Sequence, residues 1–421
     1  MAKRDLRTTL NPGDRMEVTV DNVAHGGLFV ARTEHGVVFV PDALPGERVA
    51  VELSRVAKSF AHAETLEVLE ASADRVEHFW PEARVERSAN SRAGGAEFGH
   101  IRLPVQRGLK TTVLRDAMQR FGGVETDVEV QPAPGDDERG GLAWRTRVRL
   151  QVSESGRQGP FAARTHTVVP VTSMPLATEG IQRDALLEER LVGASRVDYA
   201  ELGDGTVDVI ATEGDAPEGP TQTIVEYAGD RAFHLDRAGF WQVHREAPAL
   251  LTAAVRRAID TDLVDPKAAN FDLYGGVGLF AATLGELLGP TTRVISVEGD
   301  EVATDHAAEN LAEWVGAQAI TAPVASFLAQ TRRTATPNEL RRLAAGTVVL
   351  DPPRSGAGKQ VVESLTALGP RQLIYVACDP VALARDTGLL RERGYELTSL
   401  ESFDLFPHTH HFESVAAFRR A

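Results

Sequence analysis

The sequence predicts three units in series: a small β-barrel, an α+β middle region and a C-terminal parallel α/β domain. Three observations point there. Residues 11–70 hold short β-rich runs with Gly or Pro between them, the pattern of a five-stranded barrel. From residue 240 onward strands alternate with helical stretches, the pattern of a parallel sheet with covered faces. A glycine-rich turn there is followed, 22 residues beyond Gly276, by an acid at the end of the next strand, the reach of one βαβ step. The expected boundaries are 1–72, 73–238 and 239–421.

In the first unit the runs are MEVTVDNV, GLFVAR, GVVFVPDAL, ERVAVELSRV and AHAETLEVLE, with turns at His25-Gly26-Gly27 and Pro45-Gly46. In the middle region, 81–100 is irregular and polar, 108–121 reads as a helix, and TRVRLQV, HTVVPV, RVDYAEL, TVDVIAT and TIVEYA read as strands. Breaks rich in Asp, Glu, Gly and Pro at 133–141 and 213–220 read as loops. In the third unit a helix over 246–260 leads to strands at 271–274, 294–298, 348–351 and 373–377, with an antiparallel tail at 415–418.

The 421 residues are 43% hydrophobic and 25% charged, a composition that argues against general disorder. No run of about 18 apolar residues suggests a membrane span, and the N-terminus lacks an apolar signal core. The cytoplasm is the expected location, and a monomer is expected. A single cysteine excludes a disulfide framework and any cluster held by several thiolates. The net charge of −15 runs against nucleic-acid binding, but binding depends on local patches. One such patch covers 144–164, with Arg145, Arg147, Arg149, Arg157 and Arg164 against Glu154 alone. A solvated strand face explains it as well as an RNA-facing one, with Arg145 and Arg147 as the candidate contacts.

Four motifs carry chemistry. In Asp272-Leu273-Tyr274-Gly275-Gly276-Val277-Gly278, glycines let backbone approach a ligand, and Glu298 at the next strand end accepts ribose hydroxyls. A dinucleotide and S-adenosylmethionine fit equally, and a tight ligand-free turn is the plain alternative. Asp351-Pro352-Pro353-Arg354 follows a third strand, where two prolines stiffen the edge that binds ligands in α/β sheets. The lone Cys378 stands at a fourth strand end, before Asp379-Pro380, rather than inside the strand as a structural cysteine would. Glu413 opens the last strand, after a segment with His408, His410 and His411. No further ligands accompany those histidines, so a metal site is not expected. The set suits covalent catalysis: a thiolate adds to C6 of a uracil, C5 takes a methyl group, and a base removes the C5 proton.

These motifs resemble those of bacterial RNA 5-methyluridine methyltransferases, which modify transfer and 23S ribosomal RNA. The resemblance spans nearly the whole chain. AHGGLFVAR and GVVFVPDALPGERV are similar to the TRAM domain, an OB-like RNA-binding barrel. FWQVH is similar to the family's FxQVN, DLYGGVGLF to DLYCGVGLF, YVACDPVALARD to YVSCNPxTLARD and FPHTHHFESVA to FPxTxHVExVA. The resemblance implies a Rossmann-like class I methyltransferase domain, with S-adenosylmethionine held by Gln242, Tyr274, Gly276, Glu298 and Asp351. It implies Cys378 as nucleophile, Glu413 as base, and Asp351 and Arg354 at the substrate.

Two departures stand out. Relatives often carry an iron–sulfur cluster, but its CGGC segment reads Ala93-Gly94-Gly95-Ala96 here and a further cysteine position is Met174, so no cluster is expected. Asp379 and His244 stand where relatives usually have Asn, with an effect on uridine binding as the expectation. The leading expectation is therefore an RNA uracil-C5 methyltransferase. Alternatives are a C5 methyltransferase for another nucleobase or for DNA, a non-catalytic RNA-binding protein, and a dinucleotide-dependent oxidoreductase.

Overall fold

The computed structural model describes residues 6–163, 165–214 and 222–421; the expected contact residue Arg164 and most of the loop expected at 213–220 lie outside them. The N-terminal sheet has six strands in the order Arg15–Thr19, Arg48–Val56, Phe60–Glu70, Val37–Val40, Leu28–Arg32, Asn22–Ala24. Its two edges are halves of one bent segment, split after Thr19, so the sheet curls around a core of Phe29, Val38, Val49, Val51 and Ala61. The run MEVTVDNV thus gives two strands where one was expected.

The C-terminal sheet has eight strands in the order Gly316–Thr321, Arg293–Glu298, Asn270–Leu273, Thr347–Leu350, Gln372–Ala377, Glu413–Arg420, Tyr395–Asp404, Val130–Pro132. The first five are parallel, and Glu413–Arg420 is antiparallel to its neighbours. Thr347–Leu350 and Gln372–Ala377 are buried at every position, because helices cover both faces. Leu273, Leu350, Leu373 and Tyr375 pack on one face, and Val294, Val349, Ile374 and Val376 on the other. The chain winds outward from Asn270–Leu273 in one direction, then restarts at Thr347–Leu350 on its other side. That reversal is where open α/β sheets hold their ligands.

The middle region does not pack as one block. Helix Leu103–Ala117 places Leu114 and Ala117 in the core of the C-terminal sheet, and Val130–Pro132 is that sheet's edge strand. The hairpin Thr223–Ala228 and Arg231–Asp236 puts Ile224, Phe233 and Leu235 in a core with helix Ala247–Ala258. What remains is a four-stranded sheet of Val207–Glu213, Ala194–Glu201, Arg147–Val152 and Gln158–Gly159 over Trp144, Leu150, Val197 and Tyr199. HTVVPV, expected as a strand, makes only the bridge Phe161–Val168. Pro170 lacks the N–H that would extend the ladder. The strands Arg231–Asp236, Gly316–Thr321 and Tyr395–Asp404 were not singled out in the sequence; the last mixes Glu, Ser and Thr into its alternation.

Candidate active site

Strand register brings the motif residues to one sheet edge. Leu273 lies beside both Val297 and Leu350, and Leu350 lies beside Tyr375. Tyr274, Glu298, Asp351 and Cys378 therefore emerge together at the carboxyl ends. Ala377 pairs with Ser414 in the antiparallel ladder, so the next step sets Cys378 opposite Glu413.

The wall on which a cofactor was expected is a tight turn. A Cβ built on Gly275 would lie 2.2 Å from Ser296 Oγ and 2.9 Å from Asp272 Oδ2, so only glycine permits this approach. Gly276 adopts φ +53° and faces open space. Tyr274 is held at φ +62°, a strained conformation for a bulky residue of the kind that collects at functional sites. Glu298 is fixed by three backbone N–H donors: Gly276 at 3.1 Å, Gly299 at 2.6 Å and Asp300 at 3.0 Å. Asp272 accepts from the Ala281 N–H at 2.8 Å, while its Oδ1 and Ser296 Oγ are buried without partners. Burial, reinforced by Glu298, pushes Asp272 up to about 7. Burial, reinforced by Asp272, does the same to Asp351. Glycine cradle, pinned acid and unsatisfied buried oxygens fit a cofactor with a ribose and a cationic centre. Gln242 is half-buried in the loop before helix Ala247–Ala258, beside Trp241, which packs with Val277, Leu279 and Phe280.

The reaction wall carries the thiol and the last-strand acid. Burial pushes the half-buried Cys378 thiol up to about 12, with Glu413, Asp351 and Asp379 adding to the rise and Arg354 opposing it. Glu413 is 7% exposed, its Oε2 has no partner, and burial with Asp351 nearby holds its carboxyl well above the usual range. Cys378, Glu413, Asp351 and Arg354 thus share one electrostatic environment.

The segment leading to Glu413 is pinned from a distance. Helix Leu103–Ala117 carries Gln106 and Lys110 one turn apart on one face. Gln106 Oε1 accepts from the His408 N–H at 2.7 Å, and its Nε2 donates to His408 Nδ1 at 3.0 Å. Lys110 forms a buried ion pair with Asp404 and donates to the Phe406 carbonyl at 3.1 Å. His408 Nε2 reaches the Gly140 carbonyl at 2.9 Å, so both its ring nitrogens are taken by protein groups. Sequence reasoning missed Gln106, Lys110 and Asp404, and nothing in their local sequence marks them.

The expected arginines part company. Arg145 is coupled to Arg354 and lies over the Trp144 ring, its centre 5.6 Å from the centroid. Burial, then Arg354, lowers its affinity for its proton. Among the described residues neither Arg145 nor Arg354 forms an ion pair. Arg147 instead binds Glu226 at 2.9 Å and the Gly239 carbonyl at 3.0 Å, so the structure does not bring it to the site. A cleft of about 500 Å³ beside Arg145 is lined by Phe161, Met174, Gly26 and His410.

The two departures from Asn and the cluster positions have structural accounts. His244 is fully buried, stacked on Trp144 with ring centroids 5.4 Å apart. Its Nδ1 accepts from the Glu246 N–H, and Nε2 bonds Asp136 at 3.0 Å. It is thus held in the protein interior, with both ring nitrogens taken by protein groups. Asp379 caps helix Pro380–Arg391, its Oδ1 accepting from Val381 and Ala382. Ala93, Ala96 and Met174 converge in one apolar cluster with Trp80 and Ala162.

Comparison with known proteins bears on both ends of the chain. The family description "TRAM domain" matches residues 10–66, and "tRNA (Uracil-5-)-methyltransferase" matches residues 261–421. A protein from Streptomyces avermitilis, named an uncharacterized RNA methyltransferase, is 36% identical across 97% of this chain and 99% of its own length. One of the same description from Bifidobacterium longum is 35% identical across 96% of each chain. Among solved structures, the tRNA (uracil-54, C5)-methyltransferase of Pyrococcus abyssi in complex with S-adenosyl-L-homocysteine aligns over 95% of this chain and 99% of its own. Its TM-score is 0.67 at 20% identity, a likeness of fold.

Proposed function

The chain belongs to the TRAM-domain RNA methyltransferases of the tRNA (uracil-5-)-methyltransferase family, and from that premise we propose that it methylates C5 of a uridine in transfer or ribosomal RNA through Cys378. It is an S-adenosylmethionine-dependent enzyme that acts on RNA. The observation that carries the finer reading is the register that sets Cys378 opposite Glu413 beside Asp351 and Arg354. Gln242, Tyr274, Gly276, Glu298 and Asp351 hold the cofactor, with Glu298 on its ribose. S-adenosylmethionine, when bound, supplies an electrophilic methyl group.

Each protein group then has one task. The Cys378 sulfur, once deprotonated, adds to C6 of the uracil, and the C5=C6 electron pair moves into an enolate. C5 uses that pair to form its bond to the methyl group, whose bond to the donor's sulfur would break to leave a neutral thioether. Glu413, as carboxylate, removes the C5 proton; the double bond re-forms and the sulfur leaves. Both groups hold their protons in this buried setting. A cation entering beside Asp351 favours the ionised forms. Arg145 and Arg354, which form no ion pair among the described residues, offer guanidinium groups to an RNA phosphate. The target base must leave its stack to reach Cys378. The barrel and the four-stranded central sheet hold the RNA.

The test is transfer of labelled methyl from S-adenosylmethionine to separate pools of undermodified transfer RNA and 23S ribosomal RNA, with nucleoside analysis. Labelled 5-methyluridine in one pool is expected. Label in another nucleoside, or none from protein that binds S-adenosylhomocysteine, overturns the reading.

A further inference from the structure

The turn of the N-terminal barrel at residues 24–27 reaches the nucleophile. His25 Nε2 lies 2.9 Å from Asp379 Oδ2, a contact across 354 residues of chain. The same turn seats on the other catalytic segment, since a Cβ built on Gly27 would meet His410 Nδ1 at 3.0 Å. Between them is a narrow enclosed gap lined by Ala24, His25, Gly26, Cys378, Asp379 and His410. We propose that His25 is a positioning residue for Cys378: through Asp379 it fixes the turn that bears the sulfur and masks a carboxylate that opposes thiolate formation. The proposal rests on the reading of Cys378 as nucleophile.

Two arguments separate this role from an ordinary surface pair. First, capping does not require the charge. Asp379 caps its helix with Oδ1, a task that Asn performs equally well. Its second oxygen and its charge remain, next to the reacting residue, and His25 takes both. The pair is partly exposed, His25 by 46% and Asp379 by 22%, so it adds little to global stability. Its effect is local.

Second, the charges around Cys378 are unbalanced. Among the leading influences Glu413, Asp351 and Asp379 oppose the thiolate and Arg354 favours it. Lys110, His410 and His411 line the gap or its wall, but Lys110 is engaged by Asp404, and His410 faces Glu97 at 3.6 Å. Burial pushes Asp379 up, and the hydrogen bonds from His25, Ala382 and Val381 together outweigh it and hold its carboxyl below the usual range, with His25 the largest of the three. A bare carboxylate adjacent in sequence to the sulfur adds to the cost of ionising it. A hydrogen bond from His25 draws off part of that charge.

The experiment uses the lone thiol. Iodoacetamide alkylation of the full-length protein, followed by intact mass, reports Cys378 only and needs no RNA. Rates are compared at one alkaline pH for the native protein, Asp379→Asn, His25→Ala and the double variant, with S-adenosylhomocysteine binding by calorimetry as a check on the fold. Asp379→Asn is expected to accelerate alkylation about twofold in the native background and about tenfold in the His25→Ala background. Access to the sulfur is the same within each background, so the difference isolates the masked charge. His25→Gln, which keeps a donor, is expected to restore the smaller ratio. Equal acceleration in both backgrounds overturns the proposal. Loss of methyl transfer is not the readout, so failure here is distinct from failure of the nucleophile assignment, which Cys378→Ser tests.

Discussion

The wall proposed to hold the cofactor draws Tyr274, Gly276 and Glu298 from a single βαβ step, and the Gly276 N–H closes directly on the Glu298 carboxylate 22 residues away. The opposite wall is assembled from the whole chain. Gln106 grips His408 across 302 residues, Lys110 meets Asp404 across 294, and His25 meets Asp379 across 354. One wall is specified by local sequence, the other by how separate units dock. The first therefore tolerates changes in the rest of the protein, and the second depends on them.

Substitutions test that division, beginning with the reacting atoms. Cys378→Ser is expected to abolish methyl transfer and any covalent RNA adduct while S-adenosylhomocysteine still binds; turnover retained in a radiolabel assay ends the covalent mechanism. Glu413→Gln is expected to slow turnover by about 10²–10⁴-fold, the usual contribution of a positioned base. RNA-bound protein on denaturing gels is expected to accumulate, because the C5 proton stays in place. Absence of that trapped species assigns the proton to another group.

Lys110→Met leaves Asp404 buried and unpaired, which costs about 3–5 kcal/mol in urea unfolding. The variant is expected to lose methyl transfer yet keep its affinity for S-adenosylhomocysteine. Equal losses of both would mean that the walls are not independent. The smallest expected effect concerns pH. Asp272 and Asp351 titrate near 7 in the fold and near 4 in an unfolded chain, so the folded protein binds protons more tightly between those values. The stability they contribute is present below about pH 4 and is lost as pH rises to about 7, readable as a falling Tm in the absence of ligand. Their ionisation favours a sulfonium over a neutral thioether. Calorimetry is expected to show S-adenosylmethionine gaining on S-adenosylhomocysteine between pH 6 and 8, and an unchanged ratio removes both carboxylates from the cofactor site.

The same division explains what was legible in the sequence. Tyr274, Glu298, Asp351 and Cys378 stand at ends of apolar strands that burial makes easy to read, and sheet order then forces them together. Glu413 was legible because the apolar run Val415–Phe418 follows it and marks the strand that it opens. Arg145 and Arg147 were indistinguishable as letters two residues apart, and Glu226, on a hairpin that packs elsewhere, with the Gly239 carbonyl, separates them. His244 drew attention as a departure near the cofactor motif, but its Asp136 partner lies 108 residues away. Helix Leu103–Ala117 was readable as a helix, though not as part of the C-terminal core, since helical periodicity does not say which surface will receive the apolar face.

The apolar cluster of Ala93, Ala96, Met174 and Trp80 has a consequence beyond packing. Where thiolates and iron would make the cohesion of the central sheet depend on metal supply and on protection from oxygen, carbon contacts have neither requirement. Thiol oxidation in this chain has a single target, the half-buried Cys378, while Met174 in the cluster is shielded at 5% exposure.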